Sequence, residues 1–343
     1  MRRIIVRQEE AGQRFDKFLR KYMREAPVSF FYKMLRKKNI TLNGQKADGS
    51  ERIREGDRVE MFLSDETIEK FCGVQDCPGS GSREESLCLE GEAAWKKFGA
   101  LPVLYEDRHI LLVDKPAGIL TQKSMPDDLS LNEWLTGYLL ASGALGTDRK
   151  QARDSLRMFR PSVCNRLDRN TSGIVICGKS LYGSQQMSRI LKDRSLHKYY
   201  LLYVEGKLRE ARRVEGWLVK DETTNKVRIT REQTEESAKI VTAYRPIREG
   251  EHETLVEVDL ITGKPHQIRA HLAAEGFPLV GDYKYGDRRA NDKRKRQDGI
   301  THQLLHAYRV VFPVLDGELS ALSGREIRAP LPDIFQKLKG QKR

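Results

Sequence analysis

The sequence predicts an α+β protein with a mixed, largely antiparallel sheet flanked by helices. Several strand-like runs follow a helical pattern at Ser180 to Arg194, and most of them have no helix between them. Strands joined by short turns pair as antiparallel neighbours, because a parallel pair needs a long crossover connection. A smaller αα-β module is predicted ahead of this domain. The five runs are His197 to Val204, Gly216 to Val219, Val227 to Thr230, Ala238 to Tyr244 and Thr254 to Leu260.

Residues 1–63 are predicted to form this small module. Apolar residues in Phe15 to Tyr22 recur at i, i+3, i+4 and i+7, the period of a helix. Ser29 is a candidate N-cap for a second helix. Asn43-Gly44 is a tight-turn signal after the short strand Ile40 to Leu42, and Glu55 to Met61 starts another turn and strand. The second helix is expected to bury Phe30, Met34 and Leu35.

The charge of the chain favours a polyanionic partner. Its 343 residues carry a formal net charge of +13, with a pI near 9.4. Lysine and arginine are spread along the chain, which favours nucleic acid over a membrane surface; a basic surface kept for solubility is the alternative. No apolar run approaches the roughly 20 residues of a membrane span. The module's candidate RNA contacts are Arg14, Lys17, Arg36, Lys37 and Lys38.

Residues 64–100 are predicted to be a linker, because periodicity is lost and the stretch 78–86 is rich in Gly and Ser. Such a linker would let the module move relative to the larger domain, residues 101–343. The five cysteines show no CxxC spacing, so a zinc site is not expected. The N-terminus becomes charged too soon for a signal peptide, and we expect a reduced, cytoplasmic protein.

The larger domain begins with a buried-strand run at Ile110 to Val113. Ser130 and Glu133 form a capping-box pattern ahead of an apolar helical face. A later basic run, 288–296, has the composition of a solvated loop that could add phosphate contacts beside an RNA site.

The strongest candidate for chemistry lies in a nine-residue stretch that begins at Asn165. It reads Asn-Arg-Leu-Asp-Arg-Asn-Thr-Ser-Gly and precedes the apolar run 174–177. Asp168 lies between Arg166 and Arg169, and flanking cations favour an ionised carboxylate. An anionic substrate could approach the two guanidiniums and reach the carboxylate between them. This layout suits chemistry on a nucleic acid.

The stretch resembles the signature of the RluA-type pseudouridine synthases, roughly His-Arg-Leu-Asp-x-x-Thr-Ser-Gly followed by an apolar strand and a lysine. Lys179 fills the last position, whereas Asn165 stands where the family usually has histidine. Further motifs follow the family's order: the turn 114–118, the strand 197–206 and the segment 262–282. The module at residues 1–63 is similar to an S4 RNA-binding domain. Together the resemblance covers the module and nearly all of residues 101–343.

The resemblance implies three catalytic residues. Asp168 matches the catalytic carboxylate, Tyr200 the active-site tyrosine and Arg269 the arginine that pairs with the aspartate. It also implies that Arg166 occupies the place that the target base leaves. A helix is predicted to begin near residue 264, where backbone N–H groups could hold phosphate. The other predicted RNA contacts of this domain are Arg169, Lys264, His266 and Gln267.

The implied reaction explains these residue types. Conversion of uridine to pseudouridine breaks the N1–C1′ bond, turns the detached uracil and rejoins it through C5. It involves no redox change, so no cofactor and no metal are expected. A carboxylate could act as a nucleophile or as a base that removes the C2′ proton to give a glycal, and both routes stay open. Tyr200 offers an aromatic face to the uracil, which must first be turned out of its stack at a cost of a few kcal/mol.

The expected substrate is large-subunit ribosomal RNA, by resemblance, because of the S4-like module. Transfer RNA is the alternative substrate. A non-catalytic RNA-binding factor in ribosome assembly is the alternative function, which the intact set of Asp168, Tyr200 and Arg269 disfavours. The protein is expected to be a monomer with no partner besides structured RNA.

Overall fold

The computed structural model describes residues 2–72, 83–221 and 226–340, and within them two sheets are flanked by helices. The strands are β1 Arg2–Ile5, β2 Ile40–Leu42, β3 Gln45–Lys46, β4 Arg58–Met61, β5 Val103–Glu106, β6 Ile110–Lys115, β7 Ser162–Val163, β8 Ser172–Gly178, β9 His197–Glu205, β10 Arg212–Asp221, β11 Lys226–Thr230, β12 Ala238–Glu249, β13 Glu253–Leu260, β14 Leu305–Val311 and β15 Glu326–Arg328. The helices are α1 Phe15–Tyr22, α2 Val28–Arg36, α3 Asp65–Cys72, α4 Arg83–Phe98, α5 Leu131–Ala141, α6 Arg149–Met158, α7 Leu181–Lys192, α8 Gln267–Ala274, α9 Arg288–Asp298 and α10 Asp333–Gly340.

The N-terminal module contains α1, α2 and a four-stranded sheet in the order β1-β4-β2-β3. The helix predicted at Phe15 to Tyr22 and the turn at Asn43-Gly44 are confirmed, and both turn residues have positive φ angles of 53° and 75°. The cap predicted at Ser29 is wrong. Helix α2 begins at Val28, and Pro27 at the cap position makes no side-chain cap bond, because the proline side chain has no hydrogen-bond acceptor.

The large sheet confirms the mixed, largely antiparallel prediction. Its strand order is β11-β10-β12-β13-β9-β14-β8-β6-β5, with β15 paired to β14 and β7 paired to β8. Every pairing is antiparallel except that of β14 with β8, where His306 lies opposite Ser172. This parallel pair places the start of β8 beside the middle of the sheet.

Side chains alternate between the two faces of this sheet, as strand geometry requires. Leu111 and Val113 of β6 face a core shared with α4, α5 and α8. Ile110 and Leu112 face the opposite core, which contains residues of α7. Both sides of the central strands are therefore covered.

The linker prediction is wrong for much of residues 64–100, which include α3 and α4. Helix α4 packs along α5, with the Trp95 and Trp134 rings 5.9 Å apart. A Cβ atom on Gly137 would lie 2.1 Å from the carbonyl oxygen of Gly91, so these glycines allow the helix axes to approach closely. Cys88 is fully buried in the same core. Residues 73–82, with Cys77 and most of the predicted Gly/Ser stretch, lie outside the described residues.

The module packs against the larger domain. Met158, at the end of α6, is buried in the module's own core. Arg24 donates a 2.8 Å hydrogen bond to Glu84 of α4, and Arg7 donates a 2.9 Å bond to Ser155 of α6. The division into residues 1–63, 64–100 and 101–343 stays a prediction. None of the helices described here has the length and apolarity that crossing a membrane requires.

Candidate active site

Asp168 lies in the loop between β7 and β8. Side chains from outside the loop form hydrogen bonds to its backbone and hold it in place. The hydroxyl of Thr121 donates to the carbonyl of Leu167 at 2.7 Å and accepts from its N–H at 3.1 Å. On the other side of Asp168, the carbonyl of Arg169 accepts a 3.1 Å bond from the ammonium of Lys115. The backbone is thus fixed on both sides of the carboxylate.

Lys115 is fully buried at the end of β6 and acts on three backbone carbonyls. Its Nζ also donates to the carbonyls of Pro116 at 3.0 Å and Ile119 at 2.8 Å. Burial lowers the pKa of Lys115 to about 7, against the charges of Asp168 and Asp114. The sequence assigned this lysine only to a motif; its place at the end of a strand that begins with four apolar residues was the signal for a structural role.

Asn165, in place of the family histidine, binds the backbone of β8. Its Oδ1 accepts from the N–H of Ile176 at 2.7 Å, and its Nδ2 donates to the carbonyl of Ile174 at 3.4 Å. At the other end of the loop, Gly173 has a φ of 111°, and a Cβ there would lie 2.2 Å from the carbonyl oxygen of Ala307. The Gly of the Thr-Ser-Gly segment is therefore required by backbone conformation and by close strand packing.

The structure brings Asp168 and Arg269 together. Arg269 Nη1 donates to Asp168 Oδ2 at 2.9 Å, while its Nε and Nη2 donate to Asp282 at 2.7 and 2.9 Å. The Arg269 side chain is 8% exposed, and that of Asp282 is fully buried. Burial opposes the cation, but hydrogen bonds and charge from Asp282, and then from Asp168, raise the pKa of Arg269 above its usual value.

Asp282 is the residue that orients this guanidinium. Burial alone would raise its pKa, but Arg269 and the backbone N–H groups of Lys284 and Tyr285 outweigh that effect and lower the pKa of Asp282. The Tyr285 ring lies under the guanidinium, with Arg269 Cζ 5.3 Å from the ring centroid. Sequence reasoning quoted Asp282 only as part of a motif and missed its role, as it missed the roles of Thr121 and Tyr285.

Tyr200 lies in β9, buried in the core beneath the site with 5% exposure. Burial, and after it the charge of Asp168, raises the pKa of Tyr200 far above its usual value. The side chain is therefore a neutral phenol over the whole physiological range. Among the described residues its hydroxyl has no hydrogen-bond partner.

His266 lies directly before α8 in a left-handed conformation, with φ 54° and ψ 12°. Its Nε2 is 3.9 Å from Asp168 Oδ2, and its Nδ1 is 2.9 Å from the hydroxyl of Tyr285. Burial and the cations of Arg269 and Lys284 lower the pKa of His266, although the charge of Asp168 opposes them. The histidine predicted to contact RNA thus faces the carboxylate of Asp168.

Three predicted RNA contacts surround this centre as exposed cations: Arg166, Arg169 and Lys264. Arg166 has no ion-pair or hydrogen-bond partner within the described part of the chain, whereas Arg169 Nε donates to the carbonyl of Gly118 at 3.2 Å. Their exposure leaves them accessible to phosphate.

The prediction for Gln267 is wrong. Its side chain is 2% exposed and donates to the carbonyl of Val241 and the hydroxyl of Thr242 at 3.1 and 3.0 Å. Its Oε1 accepts from Thr262 and from the N–H of Lys264 at 2.9 and 3.1 Å. Because every polar group of this amide has an internal partner, Gln267 supports the start of α8 and is not available to RNA.

The cations predicted to bind RNA in the module are all exposed: Arg14, Lys17, Arg36, Lys37 and Lys38. Arg14 also pairs with Asp16 at 3.1 Å. The basic run 288–296 lies in the helix α9, and the loop interpretation was wrong, because Asp287 caps its start and Gly299 its end. Asn291 ties α9 to the carbonyl of Asp282 at 3.0 Å and to the N–H of Gly281 at 2.8 Å.

Comparisons with known proteins agree with this arrangement. A family model described as RNA pseudouridylate synthase matches residues 109–274, the segment that contains Asp168, Tyr200 and Arg269. The chain is 27% identical over 343 residues to the ribosomal large subunit pseudouridine synthase C of Vibrio vulnificus (strain CMCP6), covering 98% of this chain and 94% of that protein. It is 27% identical over 318 residues to the protein of the same name from Escherichia coli (strain K12), covering 90% and 88%.

A solved structure described as human RNA pseudouridylate synthase domain containing 4 has a similar fold. The TM-score is 0.53 at 19% identity, covering 73% of this chain and 94% of that chain. Residues 109–274 thus match the RNA pseudouridylate synthase model, and the relatives that align with nearly the full chain are named ribosomal large subunit pseudouridine synthases.

Proposed function

We propose that this protein converts uridine to pseudouridine in large-subunit ribosomal RNA, with Asp168 as the catalytic carboxylate. The observation that carries this proposal is the ion pair of Asp168 with Arg269, a guanidinium that is itself anchored on the buried Asp282. Arg269 contacts both carboxylates directly. Its contact with the buried Asp282 fixes the guanidinium, and the guanidinium in turn orients Asp168. The names of the full-length relatives support the ribosomal substrate.

The reaction can be balanced with these residues alone. The N1–C1′ bond breaks, a C5–C1′ bond forms, the C5 proton leaves to solvent and N1 gains a proton. Asp168 serves as the nucleophile or as the base at C2′, and both routes use its anionic form. Tyr200, held as a neutral phenol by burial, presents its ring to the uracil. Arg269 keeps the carboxylate in place through the two bond changes.

We further propose that RNA phosphates bind the exposed cations around the site and on the module. Arg166, Arg169 and Lys264 lie at the mouth of the site, and a target base that leaves its stack would be replaced by Arg166, whose planar cation can stack on neighbouring bases. Helix α9 adds further cations, and Asn291 holds this helix near the site through its hydrogen bond to the carbonyl of Asp282. The module's cations provide a second contact to structured RNA, in the cytoplasm where ribosomes assemble.

The test is the substitution Asp168→Asn, which keeps the size of the side chain and removes its charge. Pseudouridine would be mapped by carbodiimide modification in ribosomal RNA from cells that carry the wild-type gene, no gene or the variant. We expect the variant to match the deletion strain while its RNA affinity stays within about 3-fold of wild type. Asp193→Asn, an exposed carboxylate beyond α7, is the matched control and should behave as wild type.

Pseudouridine at unchanged levels in the deletion strain would overturn the proposal. A variant that keeps the activity would remove Asp168 from the mechanism. A difference confined to transfer RNA would replace the ribosomal substrate by transfer RNA.

A further inference from the structure

His266 has a backbone conformation that residues other than glycine rarely adopt. A left-handed residue other than glycine is strained and persists where the surrounding structure imposes it, often at functional sites. Here the conformation directs the imidazole toward the catalytic carboxylate, with Nε2 3.9 Å from Asp168 Oδ2. The side chain is only 16% exposed.

The hydrogen bonds around this imidazole determine where its proton lies. The hydroxyl oxygen of Tyr285 accepts the N–H of Val227 at 3.0 Å, which leaves the hydroxyl proton free to be donated. The Tyr285 hydroxyl lies 2.9 Å from His266 Nδ1 and can donate this proton to it, and the carboxylate of Asp168, 3.9 Å from Nε2, favours a ring hydrogen on Nε2. An Nδ1 that accepts a hydrogen bond places the ring hydrogen of neutral histidine on Nε2. The atom facing the reaction centre is therefore an N–H donor.

The proposed reaction needs a donor at this place. When the N1–C1′ bond breaks, the uracil keeps the bonding electrons, and its negative charge spreads over the ring nitrogens and the carbonyl oxygens. A half-turn about the N3–C6 axis exchanges N1 with C5 and, in the same movement, O2 with O4. A fixed donor beside the sugar therefore meets O2 before the turn and O4 after it.

We propose that His266 Nε2–H donates a hydrogen bond to the uracil carbonyl oxygen on the sugar side, stabilising the detached uracil in both orientations. The inference deepens the proposed function and rests on it. O2 is two bonds from N1, and N1 is bonded to C1′, which is the carbon that Asp168 attacks on one route and the neighbour of C2′ on the other. A donor 3.9 Å from the carboxylate is therefore close enough to reach O2. Tyr285 is a positioning residue, because it acts by holding the tautomer.

Two substitutions of His266 distinguish the effect of losing the hydrogen-bond donor from the effect of disturbing the left-handed backbone. Asparagine favours the left-handed conformation, so His266→Asn keeps the local fold, but its amide ends about where Nδ1 lies. Glutamine in His266→Gln places an N–H near the position of Nε2. Single-turnover rates at saturating RNA would be followed by tritium release from [5-³H]uridine in transcripts of large-subunit ribosomal RNA, and RNA affinity would be measured by filter binding.

We expect His266→Asn to lower the single-turnover rate by about 10²-fold, the usual cost of removing one donor to a developing negative charge. The dissociation constant for RNA should change by less than about 3-fold. His266→Gln should recover part of the rate, and Tyr285→Phe should give a smaller loss than His266→Asn, because neutral His266 is then free to take either tautomer.

A raised dissociation constant with an unchanged rate would overturn the proposal and assign His266 to a phosphate. A wild-type rate in His266→Asn would overturn it as well. These outcomes differ from a failure of the proposed function, in which wild-type enzyme releases no tritium from any ribosomal transcript.

Discussion

Asp282 never contacts solvent, yet it determines how Arg269 reaches the carboxylate of Asp168. Asp282→Asn keeps the shape and removes the charge, so the guanidinium loses one of its two anionic partners. Breaking a buried ion pair costs about 3–5 kcal/mol of stability. We expect a lower melting temperature, a single-turnover rate reduced at least 10-fold, and an RNA dissociation constant near that of wild type.

The matched control for this substitution is Asp292→Asn in α9. Asp292 accepts a 3.0 Å hydrogen bond from the hydroxyl of Tyr283 at the surface, and its replacement should leave rate and stability unchanged. Full activity of Asp282→Asn would show that Arg269 is oriented by other contacts.

At this scale the sequence predicted the candidate residues for the chemistry but not the residues that hold them in place. Asp168 and Arg269 come from motifs about a hundred positions apart, and their 2.9 Å contact confirms that pairing. Thr121 and Lys115 donate hydrogen bonds to backbone carbonyls. Every residue has a backbone carbonyl, so this role leaves no pattern of residue types in the sequence. Gln267 was misassigned because its polarity suggested exposure, whereas its amide satisfies buried backbone groups.

Among the elements, α4 shows how a helix escapes detection. Small residues occupy its contact face at Cys88, Gly91 and Ala94, so its stripe is weakly hydrophobic and was interpreted as a linker. Those small residues are what allow α4 to lie against α5, where Gly137 meets Gly91. A close helix contact thus needs residues that a hydrophobicity pattern undervalues.

The contact between Gly91 and Gly137 predicts that alanine at position 137 lowers the stability of the protein, although alanine has the higher helix propensity. Alanine is about 1 kcal/mol better than glycine inside a helix. In Gly137→Ala, however, the new methyl group would lie 2.1 Å from the Gly91 carbonyl oxygen, so the helices must separate. We expect a loss of about 1–3 kcal/mol in the free energy of unfolding, measured with urea. A stabilised variant would show that the two helices are not in this contact.

The end of α2 and the end of α7 form a natural comparison for RNA binding. Arg36, Lys37 and Lys38 end α2, and Lys38 has a positive φ of 60°. Three exposed cations also end α7, on the face of the sheet away from Tyr200, and the last has a φ of 64°. The three cations that end α7 are Arg189, Lys192 and Arg194.

Neutralising the α2 cluster, with Gln at the first two positions and Asn at the left-handed third, should weaken RNA binding. Each lost phosphate contact lowers the slope of log K against log[salt] by about 0.7–0.9, so the triple variant should be flatter by about 2–3. The equivalent α7 variant should keep the wild-type slope. Equal slopes in the α2 variant and wild type would remove this cluster from the RNA interface.

For the whole molecule, the strand-like runs were enough to predict a largely antiparallel sheet. The parallel pairing of β14 with β8 was not predicted, because it joins strands about 130 residues apart through packing that no local pattern records. The docking of the module through Met158 was missed for the same reason. Local periodicity determines elements, whereas their long-range arrangement depends on the shapes of the surfaces that meet.

Stability of the whole fold should depend on pH through His306, which is fully buried in β14. Burial lowers its pKa to about 4, although backbone carbonyls of Pro330 and Ala329 oppose this. Because the folded pKa lies below the unfolded value of about 6.5, stability is complete above pH 6.5 and is lost as the pH falls toward 4. The loss attributable to this group is up to about 3 kcal/mol.

Urea denaturation of wild type and His306→Asn between pH 7 and pH 4.5 measures this contribution. The variant lacks the titrating group, so its stability should fall less over this range. Asp114, whose pKa burial raises to about 6, acts in the opposite direction but is common to both proteins. Parallel pH profiles of the two proteins would show that His306 does not titrate as expected.

The sharing of Arg269 between two carboxylates also determines which part of a nucleotide can enter. Asp168, Asp282 and Arg269 together carry one excess negative charge, enclosed behind a border of unpaired positive side chains such as Arg166. A phosphodiester is repelled by the two carboxylates and attracted by the exposed cations of the border, whereas an uncharged nucleobase experiences neither force as strongly. Charge therefore favours an orientation of the nucleotide with its phosphate outward.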